Sequence, residues 1–456
     1  MISRRRFMAN TVLATLWSAL PTMGRAATNS ALAKSTLAKA PWHNWSGYLS
    51  ANPVGRIAPH SEDELVTALR STSGAIRPVG SGHSFSPLVP TDGHLIVLDN
   101  LSGLVSHNRD TMTAELFAGT RLSDAGRMLN SVGQAMFNLP DIDRQTLAGA
   151  ISTATHGTGR DLKSLSGYVH SLRLVTPSGD VINLDADNDS DLFHAARVSL
   201  GSLGIITRIG FKNRAPFKLR SRTWTEKTDA VIAQWDTLTT QWQHFEIMPL
   251  LHSDYAFIIA HQETEAPISP MIEEDDNGEL LALFDATPVA MRGALINLLA
   301  ADIEPNEGVD TSYRSLTNLR FDRFNEMEYS VPAARGPECL MEILQTIKQQ
   351  AIDVSIPLEY RVIGEDDAWL SMFYGGPRVS ISLHRLAQYN YAPLFNVVEP
   401  IFWKYGGRPH WGKVHSLGYK QLRALYPKLD EFVTLQQRLD PQGRLLNPHL
   451  RQILNR

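Results

Sequence analysis

Arg77-Pro78-Val79-Gly80-Ser81-Gly82-His83-Ser84-Phe85-Ser86 is the stretch whose reading decides the fold. Ala75-Ile76-Arg77-Pro78-Val79 reads as a strand, and the chain leaves it through two glycines that bracket a serine. Gly80 and Gly82 accept positive φ and let the backbone come close to a ligand. Such a turn aims several backbone N–H groups at one point, which suits a pyrophosphate. His83 follows where the turn can present an imidazole to the same ligand. A plain surface turn has the same composition, so the surrounding chain has to decide between the two.

On the N-terminal side, Trp42-His43-Asn44-Trp45-Ser46-Gly47 opens the fold, and Ser61-Glu62-Asp63-Glu64 is a capping box for a helix striped by Leu65, Ala68 and Leu69. On the C-terminal side, Leu95 to Asp99 and Thr113 to Thr120 read as strands and Leu122 to Val132 as a helix. Asn138 to Gly159 is then dense in Gly, Ala, Ser and Thr. Small residues let backbone and hydroxyls approach a bulky planar ligand; a linker would be as small but more polar. Val169 to Thr176 and Gly179 to Leu184 form a hairpin around Pro177-Ser178-Gly179. Val198 to Ile209 places another glycine-rich turn before a β-branched strand.

From about Phe217 the texture changes, with Trp224, Trp235, Trp242 and Phe245 and fewer glycines, which marks a second domain over 216–400. Gln262 to Glu279 reads as a mobile, solvated loop around Glu273-Glu274-Asp275-Asp276. Pro288 to Ala301 reads as a helix with Thr287 as cap and proline at its first position, and Pro337 to Ile352 reads the same way. Pro357 to Val362 is a strand on which Glu359 and Arg361, two apart, share a face. That pair can hold sugar hydroxyls, or it can be a surface ion pair of little energetic worth. His384 closes the alternating run Val379 to His384. It can accept a hydroxyl proton or sit satisfied in a core.

Composition sets the outer bounds. The chain has 456 residues, enough for two or three domains. A net charge of −4 gives no basic excess for nucleic acid or anionic membrane. Cys339 is the only cysteine, which excludes an intrachain disulfide and a metal cluster held by several thiolates. Ser3-Arg4-Arg5-Arg6-Phe7-Met8 is a twin-arginine pattern, followed by a weakly apolar run from Thr11 to Leu20 and a cleavage candidate at Gly24-Arg25-Ala26. That run is too short and polar for a ~20-residue membrane span. Residues 1–26 therefore read as a twin-arginine export signal and 27–41 as a spacer, which predicts a periplasmic or extracytoplasmic protein.

Seven motifs in order resemble a family of FAD-linked oxidases. They are Gly80-Ser81-Gly82-His83-Ser84, Gln145 to Ala150, Thr155-His156-Gly157-Thr158-Gly159, Leu200 to Gly204, Glu359-Tyr360-Arg361, His410-Trp411-Gly412-Lys413 and Asp440 to Asn447. The family has the vanillyl-alcohol-oxidase-like fold, and the nearest group is the aldonolactone oxidases (D-arabinono-1,4-lactone and L-gulono-1,4-lactone oxidases), with alditol oxidases close by. The resemblance implies an α+β fold: a two-subdomain, PCMH-type FAD-binding domain over 42–215, an α+β substrate or cap domain over 216–400, and a C-terminal segment, 401–456, that returns to the flavin.

It also implies roles. His83 would carry FAD covalently on the 8α-methyl of the isoalloxazine, which raises the flavin potential and prevents cofactor loss after export. His156 would build the flavin wall. Gly80, Ser81, Gly82 and Ser84, with Thr146, Gly149, Ser152, Thr155 and Gly157, would meet FAD through backbone and hydroxyls, although Ser152 and Thr155 can equally satisfy their own turns. Gly204 and Ile205 would face the adenine. Glu359 and Arg361 would grip the substrate hydroxyls, while Lys413 and His384 complete the pocket. Hydride would pass to flavin N5, and oxygen or another acceptor would take the electrons, oxygen giving hydrogen peroxide. The substrate would be a sugar lactone or a polyol. A non-catalytic, exported sugar-binding protein remains the alternative from another class, and no metal is expected.

Overall fold

In the computed structural model, which describes residues 40–269, 271, 278–318 and 322–456, the strand that leads into Gly80 is Ile76–Val79. It lies in a three-stranded parallel sheet beside His94–Val97, which pairs in turn with Gly55–Ile57. The helix Glu62–Ser71 makes the crossover and buries Leu65 and Leu69. Its start follows the expected box: Ser61 Oγ accepts from Glu64 N at 3.1 Å. The return arm lands one residue early, with the Glu64 carboxylate accepting from His60 N at 2.8 Å. The expected export signal, residues 27–39 of the spacer and the acidic run Glu273 to Asn277 lie outside the described residues.

Two larger sheets follow. The first is a five-stranded antiparallel sheet in the order Leu104–Asn108, Thr113–Phe117, Ile205–Lys212, Val169–Val175 and Val181–Asp185. The expected hairpin is its last pair, with Gly179 at φ +85° in the turn. The second is an eight-stranded antiparallel sheet. Its order is Asn306–Thr311, Lys218–Lys227, Tyr255–Thr264, His244–Pro249, Glu359–Ile363, Arg378–Leu386, Phe324–Pro332 and Arg408–Pro409. In this second sheet His244–Pro249 and Tyr255–Thr264 form a short hairpin, while its other pairings join strands separated by long connections, so most of its order is invisible to local pattern. One apolar cluster, from Leu65 to Leu454, underlies all three sheets.

The C-terminal segment is tied back at two levels. Arg408–Pro409 adds to the edge of the Phe324–Pro332 strand. Beyond it, Arg444 O accepts from Ile76 N at 2.8 Å, Arg77 donates to Leu445 O at 2.7 Å, and Asn447 donates to Pro87 O and Pro90 O at 2.8 and 2.9 Å. The last forty residues therefore clamp the strand and turn that begin the cofactor motif. Among the described residues no helix is long and apolar enough to cross a membrane.

Two local expectations need correction. Thr287 does not cap the helix Val289–Ala300; Pro288 stands at its N-cap. A preceding helix, Gly278–Ala286, runs right up to this point and takes the Thr287 hydroxyl, which donates to Leu283 O at 2.7 Å. The expected loop from Gln262 to Glu279 is also shorter than read: Gln262 to Thr264 continue the Tyr255–Thr264 strand, and Gly278 and Glu279 already belong to the helix.

Candidate active site

The opening turn is held by its carbonyls and side chains. Gly82 lies at φ +71°, where a glycine is needed. Gly82 O accepts from Trp45 N at 2.7 Å, and Ser84 O accepts from Asn44 Nδ2 at 3.0 Å. Ser81 Oγ donates to Arg144 O at 2.7 Å and accepts from Arg121 at 3.0 Å. The N–H groups of Ser81, Gly82, His83 and Ser84, by contrast, find no acceptor among the described residues. Four adjacent free donors on a turn form a nest for an anion.

His83 stacks on Trp45, with ring centroids 5.4 Å apart. Burial, together with the nearby Lys413 and Arg121 charges, pushes its pKa down to about 4. The imidazole is therefore neutral at neutral pH, with a lone pair available for bond formation.

The small-residue stretch forms the wall behind this turn. Thr146 caps the helix Leu147–Ile151 by accepting from Gly149 N at 3.3 Å. Thr155 Oγ1 donates to Gln145 Oε1 at 3.0 Å, and Ser152 and Ser199 hydroxyls meet at 3.4 Å, so both hydroxyls have partners within the chain. A Cβ on Gly157 would lie 2.3 Å from Leu139 O, which leaves room for glycine alone. The N–H groups of His156, Gly157 and Thr158 lie in buried residues and find no acceptor among the described residues. Buried backbone donors are nearly always paired, so these mark a surface that receives a ligand. The Leu200 to Gly204 turn joins the same wall: Leu200 N donates to Ser152 O at 3.1 Å, and Arg77 donates to Leu200 O and Gly201 O at 3.0 and 2.8 Å. Gly204 and Ile205 then lead into the central strand of the five-stranded sheet.

The second half of the site is one face of the eight-stranded sheet. Register places Glu326 opposite His384 and Glu328 opposite Ser382, which also faces Glu359. Arg361 lies opposite Ser380 on one side and Glu246 on the other. The surface-pair reading of Glu359 and Arg361 is thereby overturned: Arg361 is 7% exposed. Arg361 Nη2 lies 3.2 Å from Glu359 Oε2, 3.2 Å from Glu328 Oε2 and 3.3 Å from Ser382 Oγ. Burial alone would lower its pKa, but Glu359, Glu328, Glu246 and Glu326 outweigh burial and hold it above the ordinary arginine range. Its buried Nε–H has no protein partner among the described residues.

His384 Nδ1 lies 3.3 Å from Pro357 O, and Nε2 lies 3.7 Å from Glu326 Oε1. Lys413 pairs with the other oxygen of Glu326. The Lys413 ammonium also sits 5.2 Å over the ring of Phe85, two residues past His83. Backbone bonds fix that reach: Phe85 N donates to Gly412 O at 2.7 Å and Val414 N to Glu326 O at 2.9 Å. Lys413 thus bridges the turn and the sheet face.

Sequence reading missed Glu326, Glu328, Ser380, Ser382 and Trp45 as parts of this site. The signal was present in Phe324-Asn325-Glu326-Met327-Glu328-Tyr329, where two carboxylates two residues apart share a face of a strand. A buried strand that carries two glutamates needs partners for both.

The sequence profile of the D-arabinono-1,4-lactone oxidase family matches residues 209–453, and that of an FAD-binding domain matches residues 53–185. The chain is 31% identical over 429 residues to a protein of Mycobacterium tuberculosis named L-gulono-1,4-lactone dehydrogenase, covering 91% of this chain and 99% of the relative. It is 25% identical to the L-gulonolactone oxidase of Scyliorhinus torazame, over 90% of this chain and 98% of the relative. It is 24% identical to an alditol oxidase of Streptomyces, again over 90% and 98%. A solved cholesterol oxidase of Brevibacterium sterolicum superposes with a TM-score of 0.75 at 14% identity, covering 91% and 96% of the two chains, and that likeness shows the α+β FAD-binding fold. The nest at Ser81–Ser84 and the unpaired donors of the wall fit the pyrophosphate and ring of such a cofactor. The chain belongs to the D-arabinono-1,4-lactone oxidase family and is an FAD-dependent oxidoreductase.

Proposed function

We propose that the chain oxidises a hydroxyl-bearing carbon of a neutral, sugar-derived lactone of the D-arabinono-1,4-lactone or L-gulono-1,4-lactone type. The observation that carries this reading is the reach of Lys413, which brings the charged sheet face against the turn that bears His83. FAD is held by the Ser81–Ser84 nest and the His156–Thr158 donors and joined through His83. When bound, the isoalloxazine supplies a two-electron acceptor for the hydrogen on the alcohol carbon.

The chain's own residues do the rest. Glu359 accepts hydrogen bonds from substrate hydroxyls, and the free Nε–H of Arg361 donates to a substrate oxygen. Arg361 and Lys413 steady negative charge as the hydroxyl proton leaves. His384 Nε2, beside Glu326, takes that proton. We assign oxygen as the terminal acceptor, with hydrogen peroxide as co-product, and extracytoplasmic placement by the twin-arginine pattern at Arg4 and Arg5. The Streptomyces relative supports a second reading, in which the substrate is an open-chain polyol.

Purified mature protein, denatured in acid, should show flavin fluorescence on the protein band, and His83→Ala should lose it. Fluorescence that persists in the variant overturns the attachment. A panel of lactones and polyols with a peroxide readout decides substrate and acceptor. No flavin and no turnover on any member would sink the enzymatic reading.

A further inference from the structure

Two histidines flank one buried carboxylate here, and their hydrogen bonds give them different protonation. His156 Nδ1 lies 2.9 Å from Gly157 O, and its Nε2 lies 2.6 Å from Glu328 Oε1. A carbonyl oxygen has no proton to give, and neither does an ionised carboxylate. Both ring nitrogens of His156 therefore donate. His410, 6.0 Å away by ring centroids, is the opposite case: its Nδ1 accepts from Gly412 N at 3.0 Å. Burial pushes the His410 pKa down to about 3, in keeping with a neutral ring.

Glu328 is saturated by donors. Oε1 accepts from His156 and from Ser380 Oγ at 2.7 Å; Oε2 accepts from Ser382 Oγ at 3.1 Å and Arg361 Nη2 at 3.2 Å. Burial alone would raise its pKa, but His156 and Arg361 hold it well below the usual carboxylate range. The liganding atoms of His156, Glu328 and His410 all lie within 4.8 Å of one another, a spacing that could suit a metal ion. The donor set does not: a guanidinium shares the carboxylate, and the His410 Nδ1 lone pair is taken by a backbone N–H. Protons, not a cation, organise this cluster.

We infer that Glu328 is a positioning residue that holds His156 as an imidazolium and, through its second oxygen, fixes the Arg361 guanidinium, so that one carboxylate sets both the wall behind the cofactor and the group that grips the substrate. The side chains that face His156 are Glu328 on the Phe324–Pro332 strand, His410 on the C-terminal segment and the Phe373 ring at 4.9 Å, while Arg361, on the Glu359–Ile363 strand, meets the far oxygen of Glu328. Only Glu328 among them carries negative charge within hydrogen-bond reach of the His156 ring. The proton placement follows from the hydrogen bonds themselves; its link to catalysis rests on the proposed flavin and substrate reading.

The test is nitrogen NMR of the flavin-loaded protein labelled with ¹⁵N-histidine, with the His156 signals assigned by their loss in His156→Gln. The wild-type ring should carry protons on both nitrogens. Glu328→Gln should drop it to one proton, while Glu328→Asp, which keeps the charge, should retain both. Steady-state kinetics of Glu328→Gln should show a rise in KM of about tenfold, the worth of one charge-assisted hydrogen bond to Arg361. A singly protonated His156 in the wild type overturns the proposal, whether or not the Glu328 variants fold. So does a doubly protonated His156 in Glu328→Gln. Absence of bound flavin or of turnover would instead count against the functional reading and leave the proton count of His156 to be read from the same spectrum.

Discussion

Thr146 Oγ1 stands where a side chain at Gly80 would begin: a Cβ on Gly80 would lie 2.2 Å from it. The same oxygen accepts from Gly149 N, so the first turn of the cofactor motif and the small-residue wall share one atom. Gly80→Ala should therefore force the two segments apart. The expected cost is about 1–3 kcal/mol of stability, with loss of flavin retention, measured by thermal melting and by flavin content after gel filtration. Removing the oxygen in Gly80→Ala/Thr146→Ala should recover part of that loss, because the clash goes and only a cap is missing. Additive losses in the double variant would show that the contact does not limit the approach.

Arg361 offers a conservative test of the sheet face. Its fork reaches Glu328, Glu359 and Ser382 through Nη2 and leaves Nε–H free. Arg361→Lys keeps the charge but cannot span the same set. The rate of flavin reduction by substrate should fall about 10²- to 10³-fold, as for loss of a charge-stabilising donor, while bound flavin stays at its wild-type level. Rapid-mixing spectra with wild-type reduction would remove Arg361 from the chemistry.

The legible parts of this protein were those written in consecutive residues. The turn at Gly80–Ser84 and the wall at 145–159 each announce themselves by composition, and the alternation around Glu359 and Arg361 gives their shared face. What joins them was not legible. Glu326 meets His384, and Glu328 meets Ser380 and Ser382, because antiparallel register brings Phe324–Pro332 beside Arg378–Leu386, and Glu326 meets Lys413 because Arg408–Pro409 pairs along the other edge; no local pattern specifies partners so far apart in sequence. Trp45 behaves likewise: it stacks on His83 from 38 positions away, held there by its own N–H donating to Gly82 O. Thr287 failed for a different reason, since its hydroxyl had two helices to choose between and served the earlier one.

Buried neutral histidines should make the protein acid-sensitive. Burial lowers His244 and His415 to about 3 and His261 and His449 to about 4, against about 6.5 in an unfolded chain. Between those values the unfolded chain binds more protons than the folded one, so stability falls as pH falls. Glu328 acts in the same direction, since its depressed pKa gives stability above the ordinary carboxylate value that is lost as pH drops through the folded one. Each histidine contributes a slope of up to about 1.4 kcal/mol per pH unit in its window. Both nitrogens of His415 lack partners among the described residues, so His415→Leu should remove its share of the slope between about pH 6 and about pH 4. Chemical denaturation at several pH values reads this directly, and an unchanged slope in the variant would contradict it.

The two cations of the sheet face are already matched by carboxylates, Arg361 by Glu328 and Glu359 and Lys413 by Glu326. A substrate carboxylate would find no spare positive charge there among the described residues, and it would have to leave water as well. The wild-type enzyme should therefore bind a neutral lactone and ignore the open-chain aldonate made by its hydrolysis. Glu326→Gln releases Lys413 while preserving the shape of the side chain. That variant should be inhibited by aldonate at concentrations at least about tenfold lower than the wild type, since one unmatched charge in a partly buried site is worth about 1.4 kcal/mol or more. Competition by aldonate that is equal in the two proteins would mean that Glu326 does not set the charge of the pocket, and Lys413 would then have to meet the substrate with its charge intact.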